Sequence, residues 1–297
     1  MAGDKDPVTG KFQIISRSNK LQTSANYAMP KTKAAAVQLN SQPDSVKSLD
    51  EAYTLVKQAA EAGAGLICLP ENFAFLGDER QKLELSSEIS AMVENRLPRW
   101  SRELGVTILG GGYPASAGGG KIYNRSIIVD PNGDVAASYD KIHLFDVDIS
   151  EDETWRESAT VQPGRHKAVV YRSGQLPSIG LSICYDLRFP ELYRLMALEG
   201  VDIITVPSAF TRPTGEAHWE TLLRARAIEN SAYVVAPAQT GLHGGKRKTW
   251  GHSLIIDPWG KIVADAGSEP RIIYAEVDTD YLNEIRKKLP SLKHRVL

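Results

Sequence analysis

The stretch SIIVDPNGDVAA (126–137) returns later in the chain as SLIIDPWGKIVA (253–264), both built on the skeleton S-x-I-x-D-P-x-G. Each reads as strand, turn, strand. In the first, Asp130, Pro131 and Gly133 hold the first, second and fourth turn positions, a composition that suits a type I turn. D-P-x-G also recurs as an ordinary turn, but the shared skeleton favours two similar halves, each with a sheet and outer helices. The fold class that follows is α/β, a four-layer α-β-β-α sandwich with two sheets face to face and helices outside.

The flanking sequence supports this. KAAAVQLN (33–40) is a short apolar run that reads as a buried strand. Leu49, Ala52, Tyr53, Val56 and Ala60 then form one helical stripe, ended by Gly63 and Gly65. LICL (66–69) predicts a second buried strand, 87–104 a helix, and VTILGG (106–111) a third strand. Such alternation implies parallel strands with helical crossovers. The second half repeats it: strand 177–184, helix 190–200 with Pro190 in its first turn, strand 201–210, helix 218–230, strand 232–238, and a last helix near 280–289.

With 297 residues, 42% of them hydrophobic, the chain can bury one large core. Residues 33–297 are expected to form a single domain and the polar, aperiodic residues 1–32 a disordered tail. The 35 Lys and Arg balance 36 Asp and Glu, which favours neither nucleic acid nor an anionic membrane surface. No apolar run approaches the roughly 18–20 residues of a spanning helix, and residues 1–30 lack a secretion-signal core. Two cysteines, Cys68 and Cys184, sit in or at the end of apolar runs, which suits free thiols in a reducing compartment, the cytoplasm. The six histidines show no zinc spacing, so neither metal nor other cofactor is expected. The glycines of GGGYPASAGGGKI (110–122) do not make a phosphate loop, because Ile122 follows Lys121; a hairpin connection is the reading.

Three strand ends carry reactive groups: Glu71 in LPENFAFLG (69–77), Lys141 in SYDKIHLFDVDI (138–149) and Cys184 in LSICYDLRFPELYR (181–194). Ligands collect at the carboxyl ends of strands in α/β folds. Taken singly, the glutamate could solvate a loop, the lysine could be a surface charge and the cysteine a small buried hydrophobe. Residue physics alone gives a candidate thiol site. Cys68, apolar on both sides, reads as core.

These segments, with PSAFTRPTGEAHWETLLRARAIEN (207–230) and GHSLIIDPWG (251–260), resemble the nitrilase superfamily over about residues 33–297, and within it the Nit branch of ω-amidases and deaminated glutathione amidases. The resemblance implies Cys184 as nucleophile, Glu71 as general base and Lys141 as oxyanion donor beside the backbone N–H of Tyr185. Glu157, in WRESATVQPG (155–164), would orient Lys141 and the substrate. Cys184-Tyr185-Asp186, where nitrilases typically read Cys-Trp-Glu, favours an amide over a nitrile. The implied activity is hydrolysis of a small carboxylate-bearing amide, deaminated glutathione or an ω-amide such as α-ketoglutaramate, through a thioester with ammonia release. Arg188 is a candidate for the substrate carboxylate, a structural ion pair being its alternative. Phe210 and Thr211 would line the pocket, and Arg247 and Lys248 stand where glutathione-directed members carry basic residues. Competing readings are a carbamoylase or other C–N hydrolase of this fold, a Cys-His hydrolase, and a catalytically silent interaction protein. Family members pair through helices next to the nucleophile, so a homodimer or larger even assembly is expected through 190–200, 218–230 and 293–297, with Leu192, Leu195, Met196 and Trp219 as its apolar contacts.

Overall fold

A computed structural model describes residues 31–150 and 153–296. The first half runs β1 (Thr32–Gln38), α1 (Ser45–Glu61), β2 (Leu66–Cys68), α2 (Glu79–Glu84), α3 (Ser86–Leu104), β3 (Thr107–Gly118), β4 (Lys121–Val129) and β5 (Val135–Asp140). A separate hairpin follows, β6 (Asp146–Ser150) and β7 (Glu153–Arg156). The second half is β8 (Val169–Tyr171), β9 (Ile179–Leu181), α4 (Pro190–Leu198), β10 (Ile203–Thr205), α5 (Arg212–Asn230), β11 (Tyr233–Ala236), β12 (Thr240–His243), β13 (Arg247–Trp250), β14 (Leu254–Ile256) and β15 (Ile262–Asp265). β16 (Arg271–Val277) and α6 (Thr279–Lys288) follow, and a 3-10 turn at Ser291–Lys293 comes after them. The expected tail, 1–32, lies outside the described residues up to residue 30, and Thr32 already opens β1.

Two six-stranded sheets result, ordered β16-β1-β2-β3-β4-β5 and β8-β9-β10-β11-β14-β15. In each, three parallel strands are flanked by an antiparallel hairpin on one side and one antiparallel strand on the other. The single flanking strands are exchanged. β8 follows the first half but pairs in the second sheet, and β16 follows the second half but pairs in the first. The repeated D-P-x-G turns are superposable in their bonding. Gly133 N–H donates to Asp130 O and Gly260 N–H to Asp257 O, both at 2.9 Å, and each Asp Oδ1 accepts two further turn amides. Both glycines have φ above +80°, a conformation that glycine adopts without steric cost.

Side-chain alternation builds the layers. Ala35, Val37, Ile67 and Ile108 of the first sheet face α1 and α3, packing on Leu49, Val56, Val93, Leu97 and Trp100. Ala34, Ala36, Leu66, Cys68 and Leu109 face the other way and share a core with Leu181, Ile204 and Val235 of the second sheet, which α4 and α5 cover. The four-layer arrangement is therefore the observed one. No helix of the described residues is long and apolar enough to cross a membrane.

Several local expectations need correction. α5 begins at Arg212, ahead of the expected residue 218, because Pro213 occupies its first turn, where no N–H is needed. Gly215 sits inside that helix because a Cβ there would lie 2.3 Å from Trp250 Cβ. Leu192, Met196 and Trp219, expected at a subunit contact, are buried in the chain's own core. Leu195 alone of that set is exposed, alongside Leu198 and Ile228.

Candidate active site

Each reactive side chain sits where a strand stops. Past β2 the chain runs beside β3, with Glu71 bridging Gly112 and Asn72 N–H donating to Gly112 O at 2.8 Å. That approach requires glycines: a Cβ on Gly111 would lie 2.0 Å from Leu69 O, and one on Gly112 3.2 Å from Glu71 Cγ. Lys141 follows β5, pinned by its amide to Asn124 O at 2.9 Å. Cys184 follows β9 at φ 48°, its N–H donating to Pro207 O at 2.9 Å. A non-glycine residue in that left-handed region costs of order 1–3 kcal/mol and persists only where its surroundings hold it.

The three meet. The Cys184 thiol stands beside the Glu71 carboxylate, close enough for each to shift the other's titration. Lys141 Nζ lies 3.1 Å from Glu71 Oε1 and donates to both Glu157 oxygens, at 3.0 and 2.8 Å. Glu157 is held in turn by Phe145 N–H at 2.7 Å. Asn124 Nδ2 donates to Glu71 Oε1 at 2.8 Å and reaches Glu157 Oε1 at 3.4 Å. Behind Glu71, Gln239 Nε2 donates to its carbonyl at 3.0 Å and to Ser41 Oγ at 2.9 Å.

The electrostatics suit a resting thiol beside an ionised base. Burial by itself favours the Glu71 acid, but the Lys141 and Arg247 charges and the Cys184 and Lys141 hydrogen bonds outweigh it, holding this carboxyl below the ordinary glutamate value. Burial opposes the Lys141 ammonium too, yet Glu157 and Glu71 hold its pKa well above a free lysine's. Burial first, then the Glu71 charge, push the Cys184 thiol far up, so it rests protonated. Cys68 is raised by burial alone, with no base beside it.

These groups floor a small pocket, also lined by Phe145, Trp155, Arg156, Tyr185, Phe210, Thr211 and Arg247. The structure thus brings together Glu71, Lys141, Glu157, Cys184, Tyr185, Phe210 and Thr211. Arg188 it places elsewhere: its guanidinium covers the Tyr185 and Phe210 rings and approaches His218 Nδ1 at 3.4 Å, outside the pocket lining. Asn124, Gln239 and Ser41 were not singled out from sequence, since only tertiary pairing puts them beside Glu71. Arg247, flagged there only as part of a basic stretch, lies over Trp155 at 4.7 Å with Nη2 donating to Ala209 O at 3.1 Å.

Residues 33–287 match the family model described as carbon-nitrogen hydrolase. The chain is 50% identical over 265 residues to the deaminated glutathione amidase of Synechocystis sp., covering 89% of this chain and 97% of that one. It is 36% identical to the omega-amidase NIT2 of Xenopus tropicalis, covering 90% of this chain and 96% of the relative. Among solved structures, the C. elegans NitFhit protein superposes with a TM-score of 0.85 at 35% identity over 91% of this chain, which spans 66% of that longer one. Likeness in fold and sequence along almost all of the described residues gives the site its setting, and the chain belongs to the carbon-nitrogen hydrolase family, enzymes that cleave carbon–nitrogen bonds other than peptide links.

Proposed function

We propose that the chain hydrolyses a small carboxylate-bearing amide through a thioester on Cys184. The observation that carries this is a buried thiol beside a glutamate that a buried ammonium, 3.1 Å from its Oε1, helps to hold ionised. As Sγ attacks the amide carbon, its proton passes to Glu71, and the carbonyl oxygen becomes an oxyanion facing Lys141 Nζ and the Tyr185 N–H. One such donor contributes roughly 3–4 kcal/mol. Collapse of the adduct breaks the C–N bond, and Glu71 returns its proton to the departing nitrogen. Water then attacks the thioester, giving its proton to Glu71; the acid leaves and the thiol is restored. Glu157 keeps Lys141 in place throughout.

For the substrate carboxylate, Arg247 is better placed than Arg188. It lines the pocket, its charge is felt at Glu71, and its Nε is buried without a hydrogen-bond partner. Phe210 and Thr211 form the adjoining wall. The names of the Synechocystis and Xenopus relatives support deaminated glutathione or an ω-amide such as α-ketoglutaramate. The leaving group is ammonia from a primary amide; from deaminated glutathione, whose amide nitrogen is substituted, it is a peptide amine, so the expected ammonia release applies only to the primary amide. A homodimer through α4 and α5, resting on exposed Leu195, Leu198 and Ile228, and residence in the cytoplasm with both thiols free complete the reading. The test is product formation from deaminated glutathione, α-ketoglutaramate, a nitrile and a carbamoyl amino acid. Turnover of either amide is expected. Turnover of the nitrile or carbamoyl compound alone would overturn the reading.

A further inference from the structure

The chemistry above uses the Cys184–Lys141 geometry but leaves open what sets it, since the two residues come from different sheets. Asp186, two residues past the nucleophile, is fully buried between those sheets. Its Oδ2 accepts from Ile183 N–H at 2.8 Å and Tyr139 OH at 2.7 Å. Its Oδ1 accepts from His143 N–H at 3.1 Å and lies 2.7 Å from His143 Nδ1. Ile183 immediately precedes Cys184, while Tyr139 and His143 stand two residues either side of Lys141. One carboxylate therefore ties the turn that carries the thiol to the strand end that carries the ammonium.

We propose that Asp186 is a positioning residue, a staple that sets the separation and angle between the Cys184 sulfur and the Lys141 oxyanion donor; the proposal rests on the thioester reading above. Three partners present an N–H or O–H and the His143 ring presents a fourth in its Nδ1–H tautomer, a set that only a carboxylate can accept on both oxygens. The Tyr139 phenol stays a donor, because burial first and the Asp186 charge next push its pKa well up. The His143 ring is fixed from its other side by stacking on Phe189, centroids 3.7 Å apart, and Phe189 packs edge-on against pocket residue Tyr185. Asp186→Asn keeps size and shape but turns an NH2 towards either the Ile183 or the His143 amide. One side of the staple must then open, whichever way the amide is placed.

The experiment compares wild type, Asp186→Asn and the milder Tyr139→Phe on α-ketoglutaramate, with kcat expressed per iodoacetamide-titrated Cys184 thiol. Displacement of reacting groups by about 1 Å can cost roughly a hundredfold. Asp186→Asn is expected to lower kcat per titrated thiol by roughly tenfold to a hundredfold with KM within about twofold, and Tyr139→Phe by a few fold. On a Lys141→Ala background the same changes should cost less than about twofold, since the geometry they protect has lost one member. If kcat per titrated thiol is unchanged, or if the effects multiply undiminished on Lys141→Ala, Asp186 is a folding contact only and the proposal falls. Should Asp186→Asn not fold, Tyr139→Phe decides by the same two readings. A fully active Cys184→Ala would instead remove the thioester reading, which separates the two failures.

Discussion

The two halves of the molecule share a fold but not a chemistry, and the register of their strands shows where they part. Glu71 forms an isolated parallel bridge with Gly112, and its counterpart Ser208 forms the same bridge with Ala238. Leu181 pairs Thr205 as Ala36 pairs Cys68, so Cys184, three residues beyond, corresponds to Leu39. Ser138 pairs Ile127 as Asp265 pairs Leu254, so Lys141 corresponds to Ser268. The three reactive positions are thus occupied on the other side of the pseudo-two-fold by Ser208, Leu39 and Ser268. A duplicated scaffold offers two matched sets of strand ends, and among the described residues only one set holds a base, a cation and a thiol. The other side supplies support: Gln239 and Ser41 hold the backbone of Glu71 from beneath.

Substitution of matched residues sharpens that contrast, and the thiol pair should show it most. Cys184→Ala is expected to reduce turnover more than a thousandfold while thermal unfolding changes little, because losing the nucleophile removes the covalent route. Leu39→Ala, at the matching position, should lose roughly 2–5 kcal/mol of stability, the usual range for a buried leucine, and retain turnover in the folded fraction. Denaturant unfolding and steady-state rates on both variants decide this. Substantial activity in Cys184→Ala would break the comparison at its centre. Cys68→Ala, with no base beside that thiol, should leave turnover intact.

The lysine pair comes next. Lys141→Ala should lower kcat by roughly a hundredfold to a thousandfold, the cost of one oxyanion donor, with a much smaller rise in KM, since the oxyanion exists only along the reaction path. Ser268→Ala should change neither. A Lys141→Ala variant in which only KM rises would make the lysine a substrate-binding group.

Acid titration separates the halves in a further way. Glu71 must be ionised to accept the thiol proton, and its folded pKa is depressed, so the acid limb of kcat/KM should lie below the ordinary glutamate value of about 4.3. The sign follows by linkage: this group's contribution to stability is present above the unfolded pKa and is lost as pH falls through the depressed folded value. Lys141→Met removes a major cause of the depression, so the acid limb should move up. A limb at or above the ordinary value in the wild type would mean that burial, which alone raises this pKa, prevails over the cations.

How much of this was legible beforehand depended on how local each signal is. The D-P-x-G hairpins could be read because the turn is made by its own four residues, and the helical stripe of α1 because its period is local. The exchange of β8 and β16 between sheets was not visible, since nothing in VVY (169–171) or RIIYAEV (271–277) names a pairing partner. α2 was missed for its shortness. In the site, Glu71, Lys141 and Cys184 stood out as groups at strand ends, but their roles came from the family resemblance. Asn124 carried no signal, because its importance lies in facing Glu71 across the sheet. Arg188, four residues past Cys184, left both a substrate contact and a structural ion pair open in the sequence; the turn beginning at Cys184 carries its guanidinium over the Tyr185 and Phe210 rings, outside the pocket lining.

The smallest expected effect is at Ser208, the residue standing where Glu71 would be in the other half. It is fully buried and its Oγ donates to Val206 O at 3.1 Å. Its amide donates to Pro237 O and its carbonyl accepts from Gln239 N–H, both at 2.9 Å, and substitution leaves these backbone bonds in place. Ser208→Ala therefore removes one neutral hydrogen bond, worth roughly 0.5–1.5 kcal/mol, and partly compensates by taking a hydroxyl out of an apolar setting. Because Gln239, whose side chain supports Glu71, is bonded to Ser208 through the backbone alone, kcat should stay within about twofold of wild type and the acid limb should not move. Glu71→Gln, the matched change, should by contrast nearly abolish turnover, since an amide cannot take the thiol proton. A tenfold loss in Ser208→Ala would show that the matched strand end shapes the site, and the two halves would then be coupled parts of it.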